Sequence, residues 1–261
     1  MLGISLFGAD GIGDKLQFSS FPENYYRNTG ERVIDLDRAW IFDHNPFVVR
    51  DRQPSETVNL WQQPWHIGLS SQFYLSKPIF FSIADRTARI FDHVAYLRHP
   101  RLYVHENLPR HTTRLVIHTT GKRTAPIRCN LGEDQVRVLS EEIVDYVRTK
   151  YRLYELIQVG SSDDLDANVI DCRGGDIWET VKIIAQAEIF IGVDSGPSWI
   201  AACYPHIFNK KVMMQYPPEF LRTSFVPMHL PEPHHHWHDH SFRYYNRSGD
   251  DAGIAYSYFK L

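Results

Sequence analysis

Apolar residues come in short runs separated by polar turns, and the runs alternate between strand-like and helix-like spacing. Residues 4–9 form a short strand-like run. The loop Asp10-Gly11-Ile12-Gly13-Asp14 follows, then a helix-like segment over 15–26. Strand, glycine-rich turn and helix in that order open an α/β unit. Short strands are predicted at 32–36, 47–50 and 102–105, and a helix over 85–97, where Ile90, Val94 and Leu97 fall on one side. A second unit starts near Arg114, with a strand over 115–118 and the turn Thr119-Thr120-Gly121-Lys122-Arg123. The spacing of Val136, Leu139, Ile143 and Val147 predicts an amphipathic helix over 133–150. A strand at 156–159, a helix at 177–186 and a buried strand at 189–193 come next. The turn Asp194-Ser195-Gly196-Pro197 then leads into a helix at 198–203 and a last strand at 211–215.

Strands and helices alternate in both halves, which predicts parallel sheets covered on both faces. The expected fold is α/β, with two Rossmann-like lobes and a ligand cleft between them. The first lobe is expected over 1–110, the second over 111–230, with a linker near 108–113. Residues 231–261, rich in His and Tyr, are expected to pack back on the first lobe.

Composition narrows the class. The chain has 261 residues and a net charge of −3, so no basic surplus announces nucleic-acid binding. Cys129, Cys172 and Cys203 are odd in number and widely spaced, which argues against a disulfide framework. The start of the chain does not read as a signal peptide, and the longest apolar runs are far too short to span a bilayer. A cytoplasmic protein is expected, at most peripheral to a membrane.

Four constellations can carry chemistry. In Gly11-Ile12-Gly13-Asp14-Lys15-Leu16-Gln17, the glycines allow a tight turn and Asp14 follows a strand. Asp14 either caps the helix or takes a proton from a hydroxyl. The pattern is not the dinucleotide fingerprint G-x-G-x-x-G. In His118-Thr119-Thr120-Gly121-Lys122-Arg123, hydroxyls, a glycine and two cations follow a strand, either as a phosphate site or as an ordinary polar turn. In Asp194-Ser195-Gly196-Pro197, a buried strand runs into a helix start, which serves either an anion or merely a well-capped junction. His234, His235, His236, His238, Asp239 and His240 offer a metal set, or a polar loop in which His236 meets phosphate or acceptor. Arg243 and Arg247 are further phosphate candidates. Trp65 and His66 either face an acceptor or pack in the core.

The first three segments, in this order, resemble glycosyltransferase family 9, the heptosyltransferase-like enzymes. That family opens with a Gly-Asp-x-Leu element followed by Ser/Thr and Pro, similar to Gly13 to Leu16 and Ser20 to Pro22. Its second lobe begins with a strand ending in His-x-x-Gly and a later Lys, similar to His118 to Lys122. It carries Asp-Ser/Thr-Gly-Pro/Leu after a buried strand, similar to Asp194 to Pro197. The resemblance covers roughly residues 1–30 and 114–215. Trp199 stands where the family usually has His, and the first lobe is short.

The resemblance implies a two-lobe GT-B enzyme with Asp14 as catalytic base. It implies that His118, Thr119, Thr120, Lys122, Asp194, Ser195, Gly196 and Pro197 bind a nucleoside diphosphate sugar. Gly13, Lys15, Gln17, Arg123, His236 and Arg243 are candidate acceptor or phosphate contacts. No cofactor or metal is expected, and the acceptor is expected to be a hydroxyl on a glycan or lipid-linked glycan. Two other readings follow from the residues. One is a nucleotide-binding protein without catalysis; the other is a metal-dependent hydrolase built on His234 to His240.

Overall fold

The computed structural model describes residues 1–9, 11–16, 18–61, 87–88, 91–97, 100–121, 137–139, 141–193, 195–204, 206–207, 209–215 and 242–245. They divide into two compact units, one within Met1–Glu106 and one from Asn107 onward.

The first unit contains β1 (Leu2–Ser5), α1 (Ile12–Leu16), α2 (Phe21–Thr29), β2 (Val33–Asp35), a 3-10 turn at Trp40–Phe42, β3 (Val48–Val49) and β4 (Glu56–Asn59). Its four strands are all parallel, in the order β3-β2-β1-β4. Leu2, Ile4, Val33 and Ile34 are buried, as expected for parallel strands covered on both faces. The polar strand β4 escaped the sequence reading because it is an edge strand, and Glu56 and Thr57 face water.

Three expectations in this unit need correction. The helix expected over 15–26 is two pieces, α1 and α2. Pro22 has no N–H for a continuing helix, and it sits instead in the first turn of α2. Within the stretch 85–97, residues 91–97 are turn and coil, and Asp92 has a positive φ of 53° that no helix accepts. Here Asn24 replaces the helical partners. Its Oδ1 accepts the Leu97 N–H and its Nδ2 donates to the Leu97 carbonyl, both at 2.7 Å. Residues 102–105 are not a strand either; Leu102 and Val104 are buried, but His105 has a φ of 60°. This segment is held by α2 and its approach. Arg101 N–H donates to Ser19 Oγ at 2.8 Å, and the Arg101 and Tyr103 side chains meet the buried Glu23 carboxylate.

The second unit contains β5 (Arg114–His118), β6 (Thr120–Gly121), β7 (Arg137–Val138), α3 (Glu141–Lys150), β8 (Glu155–Gln158), β9 (Ile170–Asp171), α4 (Ile177–Ala185), β10 (Ile189–Val193), α5 (Gly196–Ala202), β11 (Asn209–Gln215) and β12 (Phe242–Tyr245). Six strands form one parallel sheet, in the order β12-β11-β10-β5-β8-β9. Leu115 pairs with Ile189 and Ile117 with Ile191. With Val193, these residues form a core with Leu139, Ile143, Val144 and Val147. Each large apolar side chain fully buried there contributes about 1.5–3 kcal/mol. The two-residue period of a strand sends the intervening positions, Val116, His118, Phe190 and Gly192, to the opposite face.

The expected helix over 133–150 begins only at Glu141. Residues 137–138 pair antiparallel with Thr120–Gly121 instead, and the Leu139 N–H donates to the Thr119 carbonyl at 2.9 Å. The aromatic segment Phe242–Tyr245, expected in a tail crossing to the first lobe, adds an edge strand beside β11 of this sheet. The rest of 231–261 lies outside the described residues. No helix among the described residues is long and apolar enough to cross a membrane.

Candidate functional site

Each of the two parallel sheets reverses its winding once. In the second unit the chain leaves β5 for β8 and β9, then returns to β10 on the other side of β5. In the first unit β2 and β3 lie on one side of β1, and β4 on the other. Loops leaving the two central strands diverge at such a point and open a crevice at their carboxyl ends, where open α/β sheets bind ligands. Of the described sequence candidates, Gly13, Asp14 and Lys15 follow β1, and His118, Thr119, Thr120, Ser195, Gly196 and Pro197 lie at the ends of β5 and β10.

At the second switch point, β5 ends in His118 and β10 leads to Ser195. Parity puts His118 on the face where its partner across the ladder is Gly192. A Cβ on Gly192 would come within 3.0 Å of the Phe190 ring and 3.2 Å of the His118 Cβ, so the glycine leaves room for both side chains. Ser195 Oγ lies 2.9 Å from His118 Nδ1, and Asp164 Oδ2 lies 3.2 Å from His118 Nε2. The side chains of His118 and Asp164 are only 4% and 8% exposed, so the pair is sheltered from water. Ser195 occupies the N-cap of α5, yet its hydroxyl makes no capping bond; it turns to His118 and to the Val193 carbonyl at 3.1 Å.

Asp164 and its loop were missed by the sequence reading. The loop follows β8 and is fastened by residues expected to bind phosphate. Thr119 Oγ1 donates to the Leu165 carbonyl at 2.6 Å, and Leu165 N–H donates to Thr120 Oγ1 at 2.9 Å. Buried Gln158 donates to Thr119 Oγ1 at 3.0 Å and accepts from Ala167 N–H at 2.8 Å. Thr119 is fully buried and committed to this loop, whereas Thr120 is partly exposed. Arg173 Nη1 donates to the Asp164 carbonyl at 2.6 Å and grips Asp171 with two further bonds. Hydrogen bonds from Arg173 hold the exposed Asp171 carboxyl down to about 2. The available signal was Gly160, which ends a predicted strand just before Ser161-Ser162-Asp163-Asp164.

At the first switch point the loop after β1 is tied back by Asp37. Ser5 Oγ donates to Asp37 at 2.9 Å, Leu6 N–H donates to the same carboxylate, and Asn59 Nδ2 holds the Phe7 carbonyl at 3.1 Å. Phe7 is 72% exposed, an unusual position for a large apolar ring. Gly13, Asp14 and Lys15 lie within α1 rather than in a loop before it. Asp14 is the third helical residue, and its Oδ2 accepts the Gly11 N–H at 3.3 Å. Its carboxylate thus reaches back over the start of the helix, as in one half of a capping box.

Gln17, Lys122, Arg123, Asp194, His234, His235, His236, His238, Asp239 and His240 lie outside the described residues, as do Trp65, His66, Arg247 and Cys129; Arg243 is placed only as a backbone position in β12. Among the described residues, no three His, Cys, Asp or Glu side chains are arranged to hold a metal. A groove of about 690 Å³ runs past Arg148, Arg152, Tyr154, Glu155 and Ile170. It opens at the amino ends of β8 and β9, away from the switch point, and contains none of the candidate residues.

No family model matches the chain, and no curated protein matches its sequence. Solved structures do match its fold. A glycosyl transferase family 9 protein from Veillonella parvula superposes with a TM-score of 0.59 at 11% identity, covering 100% of this chain and 89% of its own. The Escherichia coli heptosyltransferase WaaC, solved with ADP, gives 0.58 at 10% identity, covering 99% of this chain and 96% of its own. The iron-containing dodecameric glycosyltransferase TibC, from enterotoxigenic E. coli, gives 0.54 at 16% identity, over 82% of this chain and 58% of its own. The α/β fold is therefore one shared with GT-B glycosyltransferases, as the motif resemblance implied.

Proposed function

We propose that this chain is a glycosyltransferase that moves a sugar from a nucleoside diphosphate sugar to an acceptor hydroxyl with inversion. The observation that carries the reading is the second switch point, where Ser195 after β10 meets His118 at the end of β5. It lies in a fold shared over nearly the whole chain with a heptosyltransferase solved with ADP. An adenosine diphosphate sugar is therefore the first donor to test.

In this reading Ser195, Gly196 and Thr120 face the diphosphate, with Lys122 supplying positive charge. These groups stabilise the leaving diphosphate as its charge grows. Asp14 takes the acceptor proton as the acceptor oxygen attacks the anomeric carbon and the bond to the diphosphate breaks. The acceptor is a glycan or lipid-linked glycan hydroxyl. A binding protein without catalysis is the second reading, favoured by the Asp14 carboxylate being engaged by Gly11.

A thermal-shift panel of nucleoside diphosphates and their sugars, with and without chelator, tests the proposal. A ligand at a hundredfold excess over its Kd adds about 2.7 kcal/mol to the folded state. One responding nucleotide, unaffected by chelator and followed by sugar transfer, supports the enzyme; response without transfer favours the second reading. A panel with no response overturns both.

A further inference from the structure

We propose that the turn between α3 and β8, together with the loop before β5, is a docking surface for an anionic lipid bilayer. The inference goes beyond sugar transfer and does not depend on it.

Leu153, in that turn, is 85% exposed, more than any other large apolar side chain among the described residues. Its backbone is fixed on both sides. Tyr151 N–H donates to the Val147 carbonyl at 2.9 Å, and Tyr154 N–H donates to the Tyr151 carbonyl at 2.8 Å. The Tyr151 and Tyr154 rings meet edge to face, with 5.4 Å between centroids, and both pack against the core of the second unit. The core thus takes the residues flanking Leu153 and leaves Leu153 in water. One exposed leucine is ordinary on a protein surface. Its charged surroundings give it a meaning.

Arg148, Lys150 and Arg152 precede it, and all three are exposed. Lys150 Nζ lies over the Tyr146 and Tyr151 rings, 5.5 and 5.7 Å from their centroids. The loop before β5 adds to this group. Glu155 N–H donates to the Thr113 carbonyl at 2.7 Å, which sets the exposed Arg110 and His111 near the start of β8. The acids of the patch are engaged: Asp145 pairs with Arg148 at 3.0 Å, and Glu155 with Arg114 at 2.7 Å. Glu188, at the start of β10, is partly buried, and Glu141 and Glu142 stand at the far end of α3. Against Asp145, Glu155 and Glu188 stand Arg110, Arg114, Arg148, Lys150 and Arg152, a local positive surplus on a chain of net charge −3.

The helix dipole accounts for part of this. Arg148 and Lys150 lie in the last turn of α3, where cations are favoured in any case. It gives no reason for Arg110 or for Leu153. A bilayer accounts for all of them. The cations meet anionic headgroups, tyrosine rings suit the boundary between headgroup and acyl chain, and Leu153 enters the acyl layer. Arg148, Arg152 and Tyr154 also line the groove at the amino ends of β8 and β9, which gives a headgroup a recess. A nucleic acid would use the cations and leave the leucine in water.

Flotation of the full chain with phosphatidylcholine vesicles, with and without about one quarter phosphatidylglycerol, tests the surface. Binding is expected only to the anionic vesicles, and it should fall as salt is raised. Arg110→Gln and Arg152→Gln are each expected to weaken it about fivefold, and Leu153→Ser about tenfold. Lys182→Gln, an equal loss of charge on α4, is expected to leave it unchanged. Melting temperatures equal to that of wild type show that the variants fold. Equal binding to both kinds of vesicle, or binding to neither, overturns the proposal. So does a Leu153→Ser variant that binds like wild type, or a Lys182→Gln variant as weakened as Arg152→Gln. Tighter binding to duplex DNA than to the anionic vesicles assigns the cations to nucleic acid and overturns it as well. None of these outcomes bears on the nucleotide sugar, which the thermal-shift panel tests separately.

Discussion

Gly160 stands against the ring of His118: a Cβ on the glycine would lie 2.8 Å from His118 Cδ2. The backbone at the end of β8 is thereby shaped around a side chain at the end of β5.

Gly160→Ala tests this closeness. The backbone conformation alone costs about 1–3 kcal/mol for a residue with a Cβ, and the methyl group must also displace Asp164. Gly30 has a φ of 74° and nothing within 4 Å of an added Cβ, so Gly30→Ala isolates the backbone cost, about 1–2 kcal/mol. Denaturant unfolding should rank Gly160→Ala as the more harmful, with the His118 ring resonances moved only by that variant.

Asp14→Asn should reduce sugar transfer by about 10²–10⁴-fold, the usual share of general-base catalysis. Nucleotide affinity should be nearly unchanged, because the asparagine oxygen can still accept the Gly11 N–H. Transfer at the wild-type rate would show that Asp14 is not the base.

Arg173→Ala should raise the Asp171 carboxyl from about 2 toward the ordinary carboxylate range, although the backbone N–H of residue 173 still donates to it. Because the folded value is held at about 2, the interaction adds stability above the unfolded value and loses it as pH falls through about 2. Carboxyl NMR titration should show Asp171 still ionised at pH 3 in wild type and titrating at a higher pH in the variant.

Asp176→Ala should cost about 1 kcal/mol in chemical denaturation. Asp176 caps α4 by accepting from Trp178 N–H at 2.7 Å and Glu179 N–H at 3.0 Å. A change near zero would mean that these donors find other partners.

Ile191→Ala should cost about 2–5 kcal/mol, since the side chain is fully buried in the core between β10 and α3. A much smaller cost in the same measurement would show that the core collapses around the gap.

The sequence by itself determined the elements whose side chains repeat with a clear period. Residues 189–193 are a strand as read, because five apolar residues in a row suit a strand buried on both faces. The helix at Ile177–Ala185 was read from the sequence at nearly these bounds, and the structure shows Asp176 capping it. The motifs also marked the loops after β1, β5 and β10, since glycines, hydroxyls and Asp at strand ends are local signals. Tertiary structure decided where local spacing and long-range pairing disagreed. Residues 137–138 fit a helical face but pair with Thr120–Gly121. Residues 94–97 fit another, but the side chains of Asn24 and Asn28 satisfy their backbone. Asp164 could not be joined to His118 by any spacing rule. They lie 46 positions apart, on loops that meet only because β5 and β8 are neighbours in a parallel sheet. A strand's hydrogen-bond partners are set by the whole chain, so the sequence can mark a loop as chemical before anything marks which residues will meet in it.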